Sequence, residues 1–289
     1  MRQEALFGWL LVLPAVMLLV AFTHWPAVAT LLDSLYTTPR GSRPPVFVGV
    51  DNYTDLAADP VFWKALSNNA WYAAVTIPVS VALSLLMALA VNARLPGQAL
   101  LRMAYFTPTM LPMIAVANIW LFFFTPDYGL LDQVLGAFGG VRHNWLGDAA
   151  TALPAMMAVA VWKEAGFFMI FYVASLQSMP PDLAEAAGLE GASRLYVFRR
   201  VTWPLLMPTT LFIVVNAVIN AFRLVDHVVV MTRGGPDNAT NLLLYHIYET
   251  GFRFWDKEAA AALTMVLLAI LAALAGFQFL VLGRRAHYR

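Results

Sequence analysis

The sequence of 289 residues contains no cysteine, so disulfide bonds and thiolate metal sites are excluded. Charged residues are also scarce, at 12% compared with about 25% in soluble domains. The net charge is only +1, which argues against a nucleic-acid partner, because such binding depends on Lys and Arg that neutralise phosphates. Hydrophobic residues make up 61% of the chain, and the mean hydropathy is +0.68. Most of the protein's surface is therefore expected to face lipid.

Catalytic motifs are missing as well. The sequence has no Walker-type phosphate loop and no serine in a nucleophile-elbow pattern, so the chain cannot use ATP by itself. Its histidines have no metal-ligand spacing, and no cofactor is expected; they are His24, His143, His227, His246 and His287. The sequence therefore supplies no active site for a membrane-embedded enzyme. A structural membrane scaffold remains a remote alternative.

Six apolar stretches are long enough to cross a bilayer, which takes about 20 residues. They predict an all-α membrane protein with a single domain over 1–289 and spans at about 7–29, 70–91, 103–124, 153–176, 208–230 and 259–282. The first stretch is too long for a signal-peptide core and has no small-residue cleavage site, so an uncleaved span is expected. Prolines recur inside the stretches, Pro108 and Pro112 among them, and they act either as packing kinks or as hinges.

The basic residues predict the orientation. Arginines are concentrated in the short connections 92–102 and 177–207 and in the C-terminal tail, and Lys and Arg favour cytoplasmic loops. Both termini and the connection at 177–207 are therefore expected inside the cell. The arginines concerned are Arg94, Arg102, Arg194, Arg199, Arg200, Arg284, Arg285 and Arg289.

Seven residues with charged, amide or imidazole side chains lie inside the fourth and fifth stretches. A charge at the bilayer centre costs about 2.5–3.5 kcal/mol on insertion scales, so these residues must face a wet cavity, each other or a partner chain. They are Lys163, Glu164, Asn216, Asn220, Arg223, Asp226 and His227.

The spacing of these residues predicts a polar stripe on the fifth span. Asn216, Asn220, Arg223 and His227 step by four, three and four, which places them on one face of a helix. Asp226 lies three residues after Arg223 and could pair with it. Lys163 and Glu164 are adjacent and point about 100° apart. Such a stripe either lines a pathway for a hydrophilic solute or hydrogen-bonds a second membrane subunit, and both uses are compatible if the pathway runs between subunits.

A polar insert at 185–208 separates the fourth and fifth stretches. Small residues lie between two carboxylates, Glu185 and Glu190, and a basic, aromatic segment follows. Small side chains let another protein approach a helix closely, and the charges keep the segment in water. The insert is therefore predicted to be a docking loop at the cytoplasmic face.

This insert resembles the EAA loop of ABC importer permeases. The pattern is Glu-Ala-Ala, two residues, Asp-Gly-Ala, then Phe and a Leu-Pro with another Pro nearby. Glu190 replaces the usual Asp and keeps its charge, and Trp203 replaces the usual Leu and keeps its bulk. The matching residues are Glu185, Ala186, Ala187, Gly191, Ala192, Phe198, Pro204 and Pro208.

Further segments resemble the carbohydrate-uptake branch of these permeases. Residues 47–53 are similar to its first outer loop, Trp162-Lys163 to its fourth span, and residues 176–180 to the exit of that span. The Gly234-Gly235-Pro236 stretch is typical of the first of two non-identical permeases, of the maltose-permease or glycerol-3-phosphate-permease type.

The resemblance implies a type I ABC importer (MetI-like) permease fold that forms half of a sugar pathway, with glycerol-3-phosphate or another polyol or sugar derivative as the alternative solute. Expected partners are a second homologous permease, a cytoplasmic ATPase dimer that binds ATP and Mg, an extracytoplasmic solute-binding protein and membrane lipid. The chain itself would not be an enzyme. It would lie in a bacterial cytoplasmic membrane with both termini inside. The solute pathway would use the seven polar residues, and coupling to the ATPase would use Glu185, Ala186, Ala187, Glu190, Gly191 and Ala192.

Overall fold

The computed structural model describes residues 2–39, 44–93 and 97–281, with side chains from residue 8 onward except those at 181, 184–186, 279 and 281. Within these ranges every regular element is a helix, and the only strand-like pairing is one isolated bridge between Tyr36 and Phe47. The predicted all-α class is confirmed.

The helices differ widely in length. The first seven are α1 (Arg2–Leu19), α2 (Trp25–Asp33), α3 (Asp51–Ala58), α4 (Pro60–Asn92), α5 (Gln98–Met110), α6 (Met113–Phe124) and α7 (Leu130–Ala137). The others are α8 (Ala152–Ser178), α9 (Pro181–Leu189), α10 (Arg194–Val197), α11 (Trp203–Arg223), α12 (Asp226–Met231), α13 (Leu243–Tyr248) and α14 (Lys257–Val281). Single π-helical turns cover Val20–His24, Phe198–Thr202 and Glu249–Arg253.

Five helical segments in the described ranges are long and apolar enough to cross a membrane, namely Gly8–Asp33, Pro60–Asn92, Ala152–Ser178, Arg194–Met231 and Lys257–Gln278. The fourth of them contains a short interruption at residues 224–225. A sixth crossing is obtained if the pair α5 and α6 is one broken span. Each predicted apolar stretch falls on one of these six segments. The structure thus has the expected number of crossings only when the bent pair is included.

The third predicted span, 103–124, is not one straight helix. Helices α5 and α6 meet at an angle of 105°, and the two residues between them, Leu111 and Pro112, have extended ψ angles of 137° and 145°. Pro112 has no backbone N–H and disfavours a helical conformation at Leu111, so it ends α5 and starts α6.

The fifth predicted span has a short interruption, and the expectation that His227 shares one polar face with Asn216, Asn220 and Arg223 is wrong for this reason. Helix α11 ends at Arg223, Leu224 has an extended ψ angle of 111°, and α12 begins at Asp226. His227 therefore belongs to a different helix from Asn216, Asn220 and Arg223. Its side chain is fully buried, so the break removes a polar ring from the surface.

Residues Met1–Trp63 and His246–Ile270 form one compact unit, and Lys64–Tyr245 with Leu271–Arg289 form the other. That the whole of 1–289 acts as a single domain stays a prediction.

In the first unit, Asp256 caps the start of α14, because its Oδ1 accepts a hydrogen bond from the Ala259 amide at 3.1 Å. The same oxygen accepts from Thr38 Oγ1 at 2.5 Å, so the segment after α2 is fixed to the start of α14.

Helix α8 is the centre of the second unit and packs against α5 and α11. Its contact with α5 is close at Gly166, where a Cβ atom would overlap the carbonyl oxygen of Tyr105. Burial of this helix positions its few polar side chains against neighbouring helices. The buried core of the unit is contributed by α4, α8 and α11 and comprises Ala88, Val91, Phe168, Met169, Tyr172, Leu206, Ile213 and Ala217.

Candidate functional site

A small cavity brings together three of the seven predicted pathway residues. Lys163 and Glu164 reach it from α8, and Asn220 reaches it from α11. The volume is about 170 Å³, which is below the range of about 300–1,000 Å³ that is usual for small-molecule sites. The cavity can hold a few waters or part of a solute. Its other lining residues are Thr109, Met113, Ala160, Phe167 and Leu224.

Lys163 is held by the break in the third span. Its Nζ donates to the carbonyl oxygen of Pro108 at 3.2 Å and to that of Leu111. These carbonyls lie at the point where α5 ends, and Pro112 cannot donate to the first of them. A lysine inside a membrane is therefore explained by two backbone acceptors that would otherwise lack donors.

Glu164 is only partly satisfied by its neighbours, although the Asn220 side chain hydrogen-bonds to its carboxylate. Its side chain is only 9% exposed, and among the described residues Oε1 has no hydrogen-bond partner. A buried carboxyl oxygen without a partner is costly. The cavity beside it is thus the natural place for a water, a solute hydroxyl or a donor from another subunit.

The remaining predicted pathway residues lie elsewhere. Asn216 donates from Nδ2 to the Phe212 carbonyl of its own helix at 2.8 Å. Arg223 is exposed at the end of α11, Asp226 is half-buried at the start of α12, and no ion pair joins the two in the part of the chain that the structure describes. His227 Nε2 contacts the hydroxyl of buried Tyr72 at 3.2 Å. The structure therefore gathers Lys163, Glu164 and Asn220 and leaves out the other four.

Sequence reasoning missed the residues that the third span contributes to the cavity. Thr109 and Met113 line it from either side of the break. Neither residue type stands out in an apolar stretch. The signal that could have found them is the pair Pro108 and Pro112, since two prolines four residues apart mark a place where a helix opens.

The segment predicted to dock is a short helix with a defined C-terminal cap. Helix α9 spans Pro181–Leu189, and Gly191 follows it with a left-handed φ of 79°. The Gly191 amide donates to the Gly188 carbonyl at 3.1 Å, and the Ala192 amide donates to the Ala187 carbonyl at 3.0 Å. These two bonds form a Schellman motif, which usually requires glycine at this position. Gly191 thus has a backbone role in addition to its small size.

The surface of this segment is open. Glu190 and Gly191 are exposed, and a Cβ atom built on Gly188 or Gly191 would meet nothing within 4 Å. Leu189 is 91% exposed, which leaves apolar area next to charge. The predicted coupling residues Glu185, Ala186 and Ala187 lie in α9. Ala187 is half-buried, and the side chains of Glu185 and Ala186 are outside the described part.

Between α6 and α8, a buried carboxylate organises the connecting segment. Asp132 accepts hydrogen bonds from Trp145 Nε1 at 2.9 Å, from the Asp127 amide at 3.1 Å and from the His143 amide at 3.4 Å. The bond from Trp145 is the main cause that lowers the pKa of Asp132; the two amides and the charge of Arg142 add to it, and burial acts in the opposite direction. This cluster holds the connection and has no features of a solute site.

A family model described as "Binding-protein-dependent transport system inner membrane component" matches residues 80–287. The chain belongs to this family. The permease assignment made from the sequence is therefore confirmed, as is the expectation that the chain is a membrane-spanning component and not an enzyme.

Curated relatives align over nearly the whole permease. The sn-glycerol-3-phosphate transport system permease protein UgpA of Agrobacterium fabrum is 33% identical over 97% of this chain and 96% of its own length. The trehalose/maltose transport system permease protein MalF of Thermococcus litoralis is 32% identical over 92% of this chain and 91% of its own length. The resemblance to the carbohydrate-uptake branch agrees with both.

Solved structures agree on the fold. A bacterial ABC transporter involved in the import of the acidic polysaccharide alginate matches with a TM-score of 0.85 at 20% identity, covering 98% of this chain and 96% of that one. The same type of transporter in complex with an alginate pentasaccharide-bound periplasmic protein matches with a TM-score of 0.84 at 20% identity, covering 96% and 93%. The importer permease fold is thereby confirmed.

Proposed function

We propose that the permease forms one half of a translocation pathway for a neutral sugar, with a second, homologous permease supplying the other half. The carrying observation is the cavity where Lys163, Glu164 and Asn220 meet inside an apolar bundle. Its volume of about 170 Å³ is too small for a complete solute site. A site completed by another subunit fits both this size and the unpartnered Glu164 oxygen.

Charge at the cavity favours a neutral solute over an anionic one. Lys163, the cation that would attract a phosphate, already donates to two carbonyl oxygens. Glu164 next to it repels an anion whenever it is ionised. The Asn220 amide, which hydrogen-bonds Glu164, carries a second N–H and a carbonyl oxygen, and these suit hydroxyl groups. Glycerol-3-phosphate, which appears in the name of the relative UgpA, or another polyol or sugar derivative is therefore the second candidate.

The permease is driven through α9 by a cytoplasmic ATPase dimer that binds ATP and Mg. The support is an exposed short helix with open space over its glycines and a sequence that resembles the EAA loop. Small residues permit close approach of a partner surface. An extracytoplasmic binding protein delivers the solute, and both termini lie inside the cell, as the arginine distribution favours.

The solute proposal is tested by uptake in vesicles that contain the permease with its partner subunits and binding protein. A panel of labelled neutral sugars, polyols and glycerol-3-phosphate is supplied. We expect saturable uptake of a neutral sugar and little uptake of the phosphate. Uptake of glycerol-3-phosphate alone would contradict the neutral-solute proposal.

The role of the cavity is tested by Asn220→Leu, which removes the amide with little change in volume. We expect uptake to fall by at least about tenfold, the effect of one lost hydrogen bond of ordinary strength or more, while the complex still assembles. Asn118→Leu is the matched control, since Asn118 donates only to the Ile114 carbonyl of its own helix at 2.8 Å. Loss of assembly before loss of uptake would identify Asn220 as a subunit contact.

A further inference from the structure

The break in the third span depends on a side chain from another helix. In a continuous helix the carbonyl of Pro108 would accept from the amide of residue 112, but residue 112 is proline and has no N–H. Lys163 of α8 supplies the missing donor to Pro108 and also donates to Leu111. Inside a membrane no bulk water can replace these bonds, so the bent geometry and the lysine belong together.

Lys163 also lies on the helix that leads to the exposed segment. Helix α8 continues without interruption from Lys163 to Ser178, a length of about 22 Å. Only Met179 and Pro180 then separate it from α9. A connection of two residues absorbs little displacement, so a shift of α9 along the axis of α8 must reach Lys163.

Close packing keeps α5 from sliding freely on α8. Gly166, one helical turn after Lys163, lies so near the Tyr105 carbonyl that even a methyl group would overlap it. Helix α5 is therefore held against α8 just before the break, whereas α6 begins after it. Movement of Lys163 thus acts on the joint between α5 and α6.

We propose that Lys163 is a positioning residue that holds the third span broken at Leu111–Pro112 and passes displacement of α8 to that break. The break borders the cavity, since Thr109 and Met113 lie on its two sides and both line the cavity. Movement transmitted by Lys163 therefore changes access to Glu164 and Asn220. This inference rests on the proposed function, because it takes α9 as the helix that the partner ATPase moves.

A solute ligand and a positioning residue respond differently to mutation. Lys163→Met keeps the length of the side chain and removes its donors. If Lys163 positions the break, we expect the maximal uptake rate to fall by at least about tenfold, as loss of a charged hydrogen bond implies, with the KM for solute changed by less than about twofold. Lys163→Arg restores donors and is expected to recover most of the rate. A raised KM with an unchanged maximal rate would overturn the proposal and make Lys163 a solute ligand.

A double variant separates the broken geometry from the need for a donor. Pro112→Ala returns an N–H that can bond the Pro108 carbonyl and continue the helix. We expect Lys163→Met with Pro112→Ala to assemble as the wild type does, even if Lys163→Met alone does not, and still to fail in uptake. Full recovery of uptake in this double variant would overturn the proposal, because the break would then be dispensable.

The cysteine-free chain permits a conformational readout that does not depend on the solute. The variant Thr109→Cys, with its cysteine on the cavity wall, is labelled with a water-soluble maleimide in the assembled complex, with and without ATP. The partner subunits used have had their own cysteines removed. We expect ATP to change the labelling rate when Lys163 is present and to change it by less than about twofold in Lys163→Met. An equal ATP response in both overturns the positioning role, whereas failure of the neutral-sugar proposal alone leaves this labelling difference intact.

Discussion

The cap of α9 makes a prediction in which two identical substitutions, three residues apart, have opposite effects. Gly191 follows the helix in a left-handed conformation, and two amide bonds close the Schellman motif around it. Gly188 lies inside the helix, where a Cβ atom would meet nothing within 4 Å. Replacing each glycine by alanine adds the same methyl group, so any difference between the variants reports on the backbone.

The magnitudes follow from conformational preference. Alanine at Gly191 must adopt a left-handed conformation, which costs about 1–2 kcal/mol for a residue with a Cβ. That cost lowers the population of the capped segment by a factor of about 5–30. Alanine at Gly188 has the opposite sign, because alanine favours a helix interior by about 0.8–1.0 kcal/mol over glycine. We therefore expect impaired coupling only in the first variant.

The assay is the ratio of solute uptake to ATP hydrolysed in the reconstituted importer, together with the amount of permease in the membrane. We expect Gly191→Ala to reach the membrane normally and to lose coupling in proportion to the lost cap. Gly191→Asn is the decisive companion variant, because asparagine tolerates the left-handed region better than other residues with a Cβ. It should retain more coupling than alanine.

Two results would refute this reasoning. Equal, wild-type coupling in the alanine variants at 188 and 191 would mean that the cap is not needed for docking. Coupling that is lower with asparagine than with alanine at 191 would mean that side-chain size matters more than backbone conformation, in which case a partner surface lies directly on the glycine.

Two further predictions concern other parts of the chain. Gly166→Ala forces a methyl group against the Tyr105 carbonyl and should destabilise the detergent-solubilised permease by about 1–3 kcal/mol, the usual cost of overpacking, which is measured as a lowered melting temperature. Gly136→Ala is the control, because the methyl group there has free space and should cause no loss of stability. Equal melting temperatures for the two variants would count against the close contact at Gly166. The lowered pKa of Asp132 means that its stabilising effect is complete above the unfolded value of about 3.9 and is lost as the pH falls through the folded pKa. The two amides that donate to Asp132 should therefore be less protected from hydrogen exchange in acid. In an Asp132→Asn variant this protection should not depend on pH, and a parallel decrease in that variant would contradict the assignment.

The membrane crossings could be predicted from the sequence because hydrophobic length is a strong constraint. A segment without about 20 apolar residues cannot span the bilayer, and all six predicted stretches fall on helices or on a bent helix pair. The break in the third span can also be predicted from the sequence, since Pro108 and Pro112 indicate where the helix is interrupted. Its angle of 105° cannot be read from the sequence in the same way, because the carbonyls at the break bond to Lys163, which belongs to another helix.

The break in the fifth span left no such signal. Neither glycine nor proline occurs between Asn216 and His227, so the four-three-four spacing predicted a continuous face that the folded chain does not have. The chain leaves the helix at Leu224 and buries His227 against Tyr72. The contact of His227 with Tyr72, 155 residues away in the sequence, accompanies this geometry, and periodicity within a single segment cannot contain such a contact.

The candidate site was predictable only in part for the same reason. Lys163, Glu164 and Asn220 stood out because charge and amides are costly in lipid, and the structure brings these three together. Gly191 was singled out for its small size, whereas the left-handed φ of 79° gives a second reason that the sequence pattern alone does not contain. Glu185 and its neighbours in α9 stay a prediction for the coupling contact.

The segment Gly8–Asp33 carries a consequence for biogenesis. None of its most apolar window is buried by the rest of the chain, and large side chains such as Trp9, Leu11 and Phe22 are each more than two-thirds exposed. During synthesis this segment enters the bilayer with acyl chains as its first neighbours. Its stability at that stage comes from the lipid and from its own backbone hydrogen bonds, so insertion of this helix does not require that the rest of the chain first form a core around it.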